Sequence, residues 1–255
     1  VNFENIKEGD MRIAIISDIH GNLEAFKTVL RDIFSQRVTQ IYCLGDVVGY
    51  GPFPQECLSL ARKRAKVILL GNHEDAAINP DEHRQHMTKF AAKSIDYTLQ
   101  KLRPSEIEYF KTLPLTFNIS DIATLAHSSR LNPKSWDYLE TPEEMREEIR
   151  NLPTQICFTG HTHKPYVFGN LVGHYRDIRH DTLELDPDEK YFINVGSVGQ
   201  PRNGDCRACY GILDISSGKS TFSFRRIFYD ISRTHRAMKK YHISDFLSER
   251  LYHGE

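Results

Sequence analysis

The stretch from Met11 to Glu74 sets the tightest constraint on what this chain can fold into. Three apolar runs rich in β-branched residues, "MRIAIISD", "QIYCLGD" and "KVILLGNHE", are separated by "GNLEAFKTVLRDIF" and "PQECLSLARKR". In the first separator Leu23, Phe26, Val29, Leu30 and Ile33 fall at helical spacing. Strand, helix, strand, helix, strand predicts a parallel sheet with crossover helices. Further along, "LTFNI", "IATLAHS" and "QICFTG" read as strands. "TPEEMREEIRNL" reads as a helix capped by Thr141, with Pro142 at its first position and Glu144 at capping-box spacing. Residues 80–112 are helical and charged, with Pro104 starting a second helix, and residues 165–226 alternate short strands with turns. No repeat, low-complexity tract or Gly/Ser linker divides the chain. The pattern predicts residues 1–10 as an extension and residues 11–255 as one α/β domain with two sheets, ending in a helical segment at about 230–255.

Composition narrows the partners. Charged residues are 26% of the chain and the formal net charge is -1, so bulk charge does not hold it to nucleic acid or to an anionic membrane. The opening "VNFENIKEGD" has no apolar core of a leader, and no run is long enough to span a bilayer. Five scattered cysteines (Cys43, Cys57, Cys157, Cys206, Cys209) do not make a disulfide framework, and a cytoplasmic protein is expected. The "CRAC" pair lacks a second pair and does not open a helix, so its thiols read as incidental.

Position, more than composition, carries the functional signal. The strands end in Asp18-Ile19-His20, in Gly45-Asp46, in Gly71-Asn72-His73-Glu74, in His127, and in Gly160-His161-Thr162-His163. Taken singly, each has an ordinary explanation: Gly-Asp and Gly-Asn are turns, Asn72 is a possible helix cap, and a lone histidine is usually a packed one. Taken together they are five elements in order at strand ends, where α/β sheets bind ligands. In an extended backbone, His161 and His163 at i and i+2 would face one way. His83, His86, His174, His180, His235, His242 and His253 lack such placement and read as surface or packing residues. Carboxylate oxygen with imidazole nitrogen suits divalent first-row metals such as Mn, Fe, Zn or Ni. The two Asp, one Asn and five His at these strand ends are eight polar groups, too many for one four-coordinate zinc, and suit two ions with one group left for proton transfer.

This ordered set resembles the calcineurin-like metallophosphoesterase superfamily. "MRIAIISDIHGNLEAF", "LGDVVGYGPFPQECL" and "INVGSVGQPRNGDCRACYGILD" are similar to its compact bacterial and archaeal phosphodiesterase subgroup, which includes symmetrical dinucleoside-polyphosphate hydrolases. The resemblance implies a four-layer α/β/β/α sandwich of two mixed sheets flanked by helices. It implies that Asp18, His20 and His163 bind a first metal, that Asn72, His127 and His161 bind a second, and that Asp46 bridges. His73 would be the catalytic general acid. Two divalent ions are implied, with Mn as the expected activator. The departures are His127-Ser128-Ser129-Arg130, where relatives carry His-Gly-Ser-Pro or similar, and "GDVVGYGP", which lacks the Asp-Arg pair of the larger protein phosphatases.

The expected reaction is hydrolysis of a phosphodiester or phosphoanhydride bond in a small, nucleotide-type substrate, by in-line attack of a hydroxide held between the two ions. Arg130, Arg202 and Arg207 are candidates to hold further phosphates, because a guanidinium fork matches phosphate geometry. Glu74 either orients a partner or pairs at the surface, and Asn22 is expected to cap the first helix. Tyr50, Phe53, Trp136 and Tyr138 are aromatic neighbours of the ligand loops. The alternative is a non-catalytic metal-binding scaffold on the same fold; completeness of the site, His73 included, argues against it. A nuclease of the superfamily would need a DNA-capping region and a basic surface. Oligomeric state leaves no trace in the sequence.

Overall fold

The computed structural model describes residues 11–85, 87–171, 175–176, 182–216 and 219–255. The predicted extension, and His86, His174 and His180, lie outside the described residues. The opening alternation folds as β1 (Met11–Ile16), α1 (Leu23–Ser35), β2 (Gln40–Cys43), α2 (Pro54–Arg64) and β3 (Val67–Ile68). Three helices follow: α3 (Asn72–Ile78), α4 (Pro80–His83) and α5 (Lys89–Lys101). Then come α6 (Pro104–Phe110), β4 (Thr116–Ile119), β5 (Ala123–Ala126), α7 (Pro142–Ile149) and β6 (Ile156–Thr159). Six strands follow: β7 (Tyr166–Gly169), β8 (Tyr175–Arg176), β9 (Leu183–Leu185), β10 (Tyr191–Asn194), β11 (Ala208–Ser216) and β12 (Lys219–Ile227). The chain closes with α8 (Ile231–Lys240) and α9 (Asp245–His253).

The strands form two six-stranded mixed sheets, ordered β3-β2-β1-β11-β12-β9 and β4-β5-β6-β10-β7-β8. β1 runs parallel to β2, and β5 and β10 run parallel to β6, while β11 returns antiparallel to β1. The period-2 alternation of side chains builds the layers. Ile13 and Ile15 of β1 point between the sheets, where they meet Leu125, Ile156, Phe158, Ile193 and Phe222. Ala14 and Ile16 point the other way, onto Phe26 and Val29 of α1 and Leu58 of α2. On the far face of the second sheet, Cys157, Phe168 and Phe192 pack against Met145 and Ile149 of α7. The result is helix, sheet, sheet, helix.

The caps explain how the helices are set. The Asn22 side chain accepts from the Ala25 amide at the start of α1, donates to the Gly199 carbonyl at 2.8 Å, and accepts from the Thr234 hydroxyl of α8. One cap thus ties three segments together. Thr141 and Glu144 form the capping box of α7. α8 and α9 carry their own apolar cluster of Met238, Ile243, Leu247 and Leu251, packed against Tyr50, Tyr97 and Tyr241. Those helices therefore lie over the loop that follows β2.

Candidate metal centre

Five loops meet at the ends of β1, β2, β3, β5 and β6. Asp18, His20, Asp46, His73, His127, His161 and His163 are all buried there. Their ligand atoms fall into three overlapping groups, each within 4.8 Å: Asp18, His20 and His163; His20, Asp46 and His73; Asp46, His127 and His161. Asn72 joins the last group, its Oδ1 lying 3.1 Å from His127 Nε2. It is the first residue of α3 rather than its cap, which is Gly71.

The backbone at these positions is unusual. Asp18, His20, Asp46, His161 and His163 have φ of 54, 47, 51, 65 and 61°, in the left-handed region. Non-glycine residues there cost on the order of 1 kcal/mol or more each and concentrate at functional sites. The conformation also corrects the idea that His161 and His163 face one way. They follow the strand rather than extending it, and they diverge: His163 Nε2 lies 3.1 Å from Asp18 Oδ1, while His161 joins Asp46 and His127. Gly160 permits the approach, because a Cβ there would overlap Ser17 Oγ and the Asp18 carboxylate.

Hydrogen bonds fix the imidazole protons. Nδ1 of His20, His127 and His163 lies 3.0, 3.0 and 2.6 Å from the carbonyls of Val48, Leu44 and Gln200. A carbonyl only accepts, so each Nδ1 carries the proton and, in the neutral ring, each Nε2 is a lone pair. His20 Nε2 and His163 Nε2 are nevertheless 3.0 Å apart. Two lone pairs facing each other at that distance repel, and a shared cation satisfies both. His161 is turned round: its Nε2 donates to the Trp136 carbonyl at 2.8 Å, leaving Nδ1 towards Asp46 and His127. Backbone carbonyls that fix the tautomer of a metal-binding imidazole are the usual outer support of such sites. Asp18 Oδ1 is buried and has no hydrogen-bond donor.

Titration behaviour follows the same logic. Burial opposes the charge on Asp46, and the imidazoles around it, His127 first, overcome that and hold its carboxyl well below the usual range. Burial likewise opposes His127, but Asp46, Asp18 and Glu74 raise it to about 9. Burial pushes His163 down to about 3 and His161 to about 4. The donors therefore stay deprotonated or compete for a proton at a point of excess negative charge, which is the condition a divalent cation exploits. The residues present fit two such ions.

Glu74 is neither a surface partner nor a ligand. It is fully buried and accepts from the amides of Asp46, Val48 and Gly71 at 2.8, 3.0 and 3.1 Å. It thereby locks the Asp46 loop onto the start of α3. Burial and the Asp46 carboxylate push it up to about 7, and the Val48 and Asp46 amides together with His127 oppose the shift. His73 donates its backbone amide to Asp46 Oδ1 at 2.9 Å, and its ring packs against those of His20 and Tyr50.

Of the three arginines singled out in the sequence, Arg202 comes to the centre. Its amide donates to the His163 carbonyl at 3.2 Å and its guanidinium lies over the Tyr50 ring. Arg130 does not: Glu148 accepts its amide and the neighbouring Ser129 hydroxyl, and the Glu148 and Arg150 carbonyls take its guanidinium at the end of α7. Arg207 does not either, being paired with Asp205 at 2.6 Å. Among the aromatics, Tyr138 stacks on His161 at 4.4 Å, and Trp136 meets His127 edge-on. Phe53 packs instead against Tyr241. Sequence reading passed over Asn194 and Gln200. Asn194 ends β10 and donates to the Gly160 carbonyl and Thr162 hydroxyl, so the strand-end rule applied to that strand finds it. Gln200 sits in a loop and leaves no comparable signal.

Two sheets with helices outside and a carboxylate–imidazole cluster at their strand ends define a metallophosphoesterase-type architecture. The family model of the calcineurin-like phosphoesterases matches residues 11–165, and the chain belongs to that family. It is a family of phosphoester hydrolases that use divalent metals. An uncharacterised protein of Methanocaldococcus jannaschii is 37% identical over 248 residues, 95% of this chain and 98% of that one. A metallophosphoesterase from Sphaerobacter thermophilus superposes with a TM-score of 0.83 at 35% identity, covering 96% of this chain and all (100%) of the other. A hypothetical protein from Pyrococcus horikoshii shares the fold with a TM-score of 0.77 at 19% identity, covering 96% and 99%. No helix among the described residues is long and apolar enough to cross a membrane.

Proposed function

We propose that this chain hydrolyses a phosphodiester or phosphoanhydride bond in a small nucleotide-type substrate, with two divalent ions, manganese as activator. The observation that carries the reading is the opposition of His20 Nε2 and His163 Nε2 at 3.0 Å, each with its proton committed to a carbonyl. In this reading Asp18, His20 and His163 would hold one ion and Asn72, His127 and His161 the other, with Asp46, which shares a group with His20 and another with His127 and His161, available to both. The ions supply positive charge to the phosphoryl oxygens and lower the pKa of the attacking water.

The chain's own residues do the rest. The carbonyls of Val48, Leu44 and Gln200 keep three imidazoles in the tautomer that presents Nε2. Glu74 holds the Asp46 loop in place. His73 gives a proton to the departing oxygen, a contribution of about 10²–10⁴-fold in enzymes that use such a group. In the free protein burial pushes His73 down to about 3, so its imidazole is neutral at pH 7. A phosphoryl anion beside it acts with the same sign as Asp46, which raises it. The five cysteines are thiols and form no disulfide, which suits a reducing, cytoplasmic setting.

The test is a panel of dinucleoside polyphosphates, linear and cyclic nucleotide diesters, phosphomonoesters and bis-p-nitrophenyl phosphate, assayed with Mn²⁺. Turnover of a diester or anhydride is expected, with two metal ions per chain by elemental analysis. Two bound ions and no turnover of any substrate would leave the scaffold reading standing instead.

A further inference from the structure

α9 delivers a second arginine to the rim of the centre. Arg250 Nη1 lies 3.5 Å from Gln200 Oε1, and Arg202 Nη2 donates to the same oxygen at 2.9 Å. Arg202 Nη1 donates to the Tyr138 hydroxyl at 3.3 Å. Among the described residues, every hydrogen bond these two guanidiniums make goes to a neutral oxygen. Neither forms an ion pair among the described residues, although the field of Glu255 reaches Arg250. The Nε of each is buried and unpartnered. Arg207, by contrast, is neutralised by Asp205.

Two like charges gathered on one amide oxygen repel, and burial adds to the cost. Burial and the Arg202 charge both lower Arg250 from the ordinary arginine value. An anion seated between the forks relieves both. The pair is also wired to the metal centre. The Gln200 carbonyl accepts from His163 Nδ1, and Tyr50, beneath Arg202, packs on His20 and His73.

We infer that Arg202 and Arg250, positioned by Gln200, form a second anion subsite that takes a phosphoryl group of the substrate beyond the one being cleaved. The inference rests on the hydrolase reading for the word substrate, but the subsite itself does not depend on turnover. The second phosphoryl group comes either from an anhydride chain or from a terminal phosphate on a nucleotide diester.

Binding is read from Trp136, the one tryptophan of the chain, which meets His127 edge-on. Metal-loaded protein is titrated with methylenediphosphonate, which has two phosphoryl groups, and with methylphosphonate, which has one. Arg250→Gln is expected to weaken the diphosphonate by about 10-fold, one good charge-assisted contact, and the monophosphonate by less than about 2-fold on the same scale. Arg250→Lys, which keeps charge without the fork, should fall between. Equal loss for both ligands, or no loss for either, overturns the subsite. Thermal melting of both variants identifies a folding defect, and a destabilised Arg250→Gln with a normal Arg250→Lys keeps the lysine variant as the decisive comparison. For the source, KM of Arg250→Gln is compared on a dinucleoside tetraphosphate, a 5′-phosphorylated dinucleotide and bis-p-nitrophenyl phosphate. The substrate whose KM rises names the source, and a rise on bis-p-nitrophenyl phosphate too counts against the proposal. Selective diphosphonate binding without turnover refutes the hydrolase reading and leaves the subsite; turnover without selectivity does the reverse.

Discussion

A hydrogen bond to Asp46 holds the His73 backbone, and packing holds its ring. Its Nδ1 is buried without a partner, and its ring lies 4.5 Å from that of Tyr50 and 4.8 Å from that of His20. Gly49 forms the remaining wall: a Cβ there would overlap His73 Nδ1, and its φ of 86° is itself unfavourable for a side chain. Gly49→Ala should therefore reproduce much of the loss of His73→Ala. On nucleoside leaving groups, which need a proton, kcat should fall about 10²-fold or more. On p-nitrophenolate, which does not, it should fall far less. Unchanged kcat for Gly49→Ala on a nucleoside leaving group, with normal metal content, would remove His73 from the chemistry. Much at this scale was legible in advance. The ligand-type residues stand out because strand ends concentrate them. The proton assignments were not legible, since they depend on carbonyls of Val48, Leu44 and Gln200 that no local pattern marks.

At the scale of elements, α1 is pinned to the sheet by Asp32. Its carboxylate accepts from Tyr210 of β11 at 2.6 Å and from Arg225 of β12 at 3.0 and 2.8 Å. Burial acts to raise Asp32, and the Arg225 and Tyr210 hydrogen bonds outweigh it, leaving the carboxyl below its ordinary value. Asp32→Asn should cost about 1–2 kcal/mol in denaturant unfolding, allowing for partial solvent screening. The pH sign follows from the lowered folded value. The contribution is present above the ordinary carboxylate range and is lost as pH falls through the lowered one. Wild type and Asp32→Asn should thus converge in stability on acidification below about pH 4. A difference that stays constant to pH 2 would show that the charge is not its source. α1 was legible from its apolar spacing, and α2 covers the segment "PQECLSLARKR" that separates the second and third strands. β3 was expected as a full strand, yet only Val67 and Ile68 are in register with β2; Leu69 still donates its amide to the Cys43 carbonyl, and Leu70 turns away to donate to the Pro114 carbonyl.

For the molecule as a whole, the centre is also a fastener. Five loops from both sheets converge on buried carboxylates and imidazoles, so an ion bound only by the folded state adds stability by mass action. At 100-fold excess over its dissociation constant the gain is about 2.7 kcal/mol. In a chain of this size that corresponds to about 5–10 °C in melting temperature. A chelator should lower the melting temperature by that amount, and Mn²⁺ should restore it. A melting temperature indifferent to chelator, in protein shown to hold metal beforehand, would contradict this coupling.

The sequence by itself determined the alternation of β1, α1, β2, α2 and β3, the amphipathic faces that bury against the sheets, and the crowding of ligand-type residues at strand ends. These are local properties, written in periods of two and 3.6 residues and in turn chemistry. Only the tertiary structure decided which of those residues face one another. The left-handed backbone that separates His161 from His163 is held by packing against its own preference. Arg130 went to the Glu148 and Arg150 carbonyls at the end of α7 and Arg207 to Asp205, while Arg202 and Arg250, distant in sequence, met at Gln200. A guanidinium is long, flexible and always charged, so its partner is chosen by what the fold brings within reach.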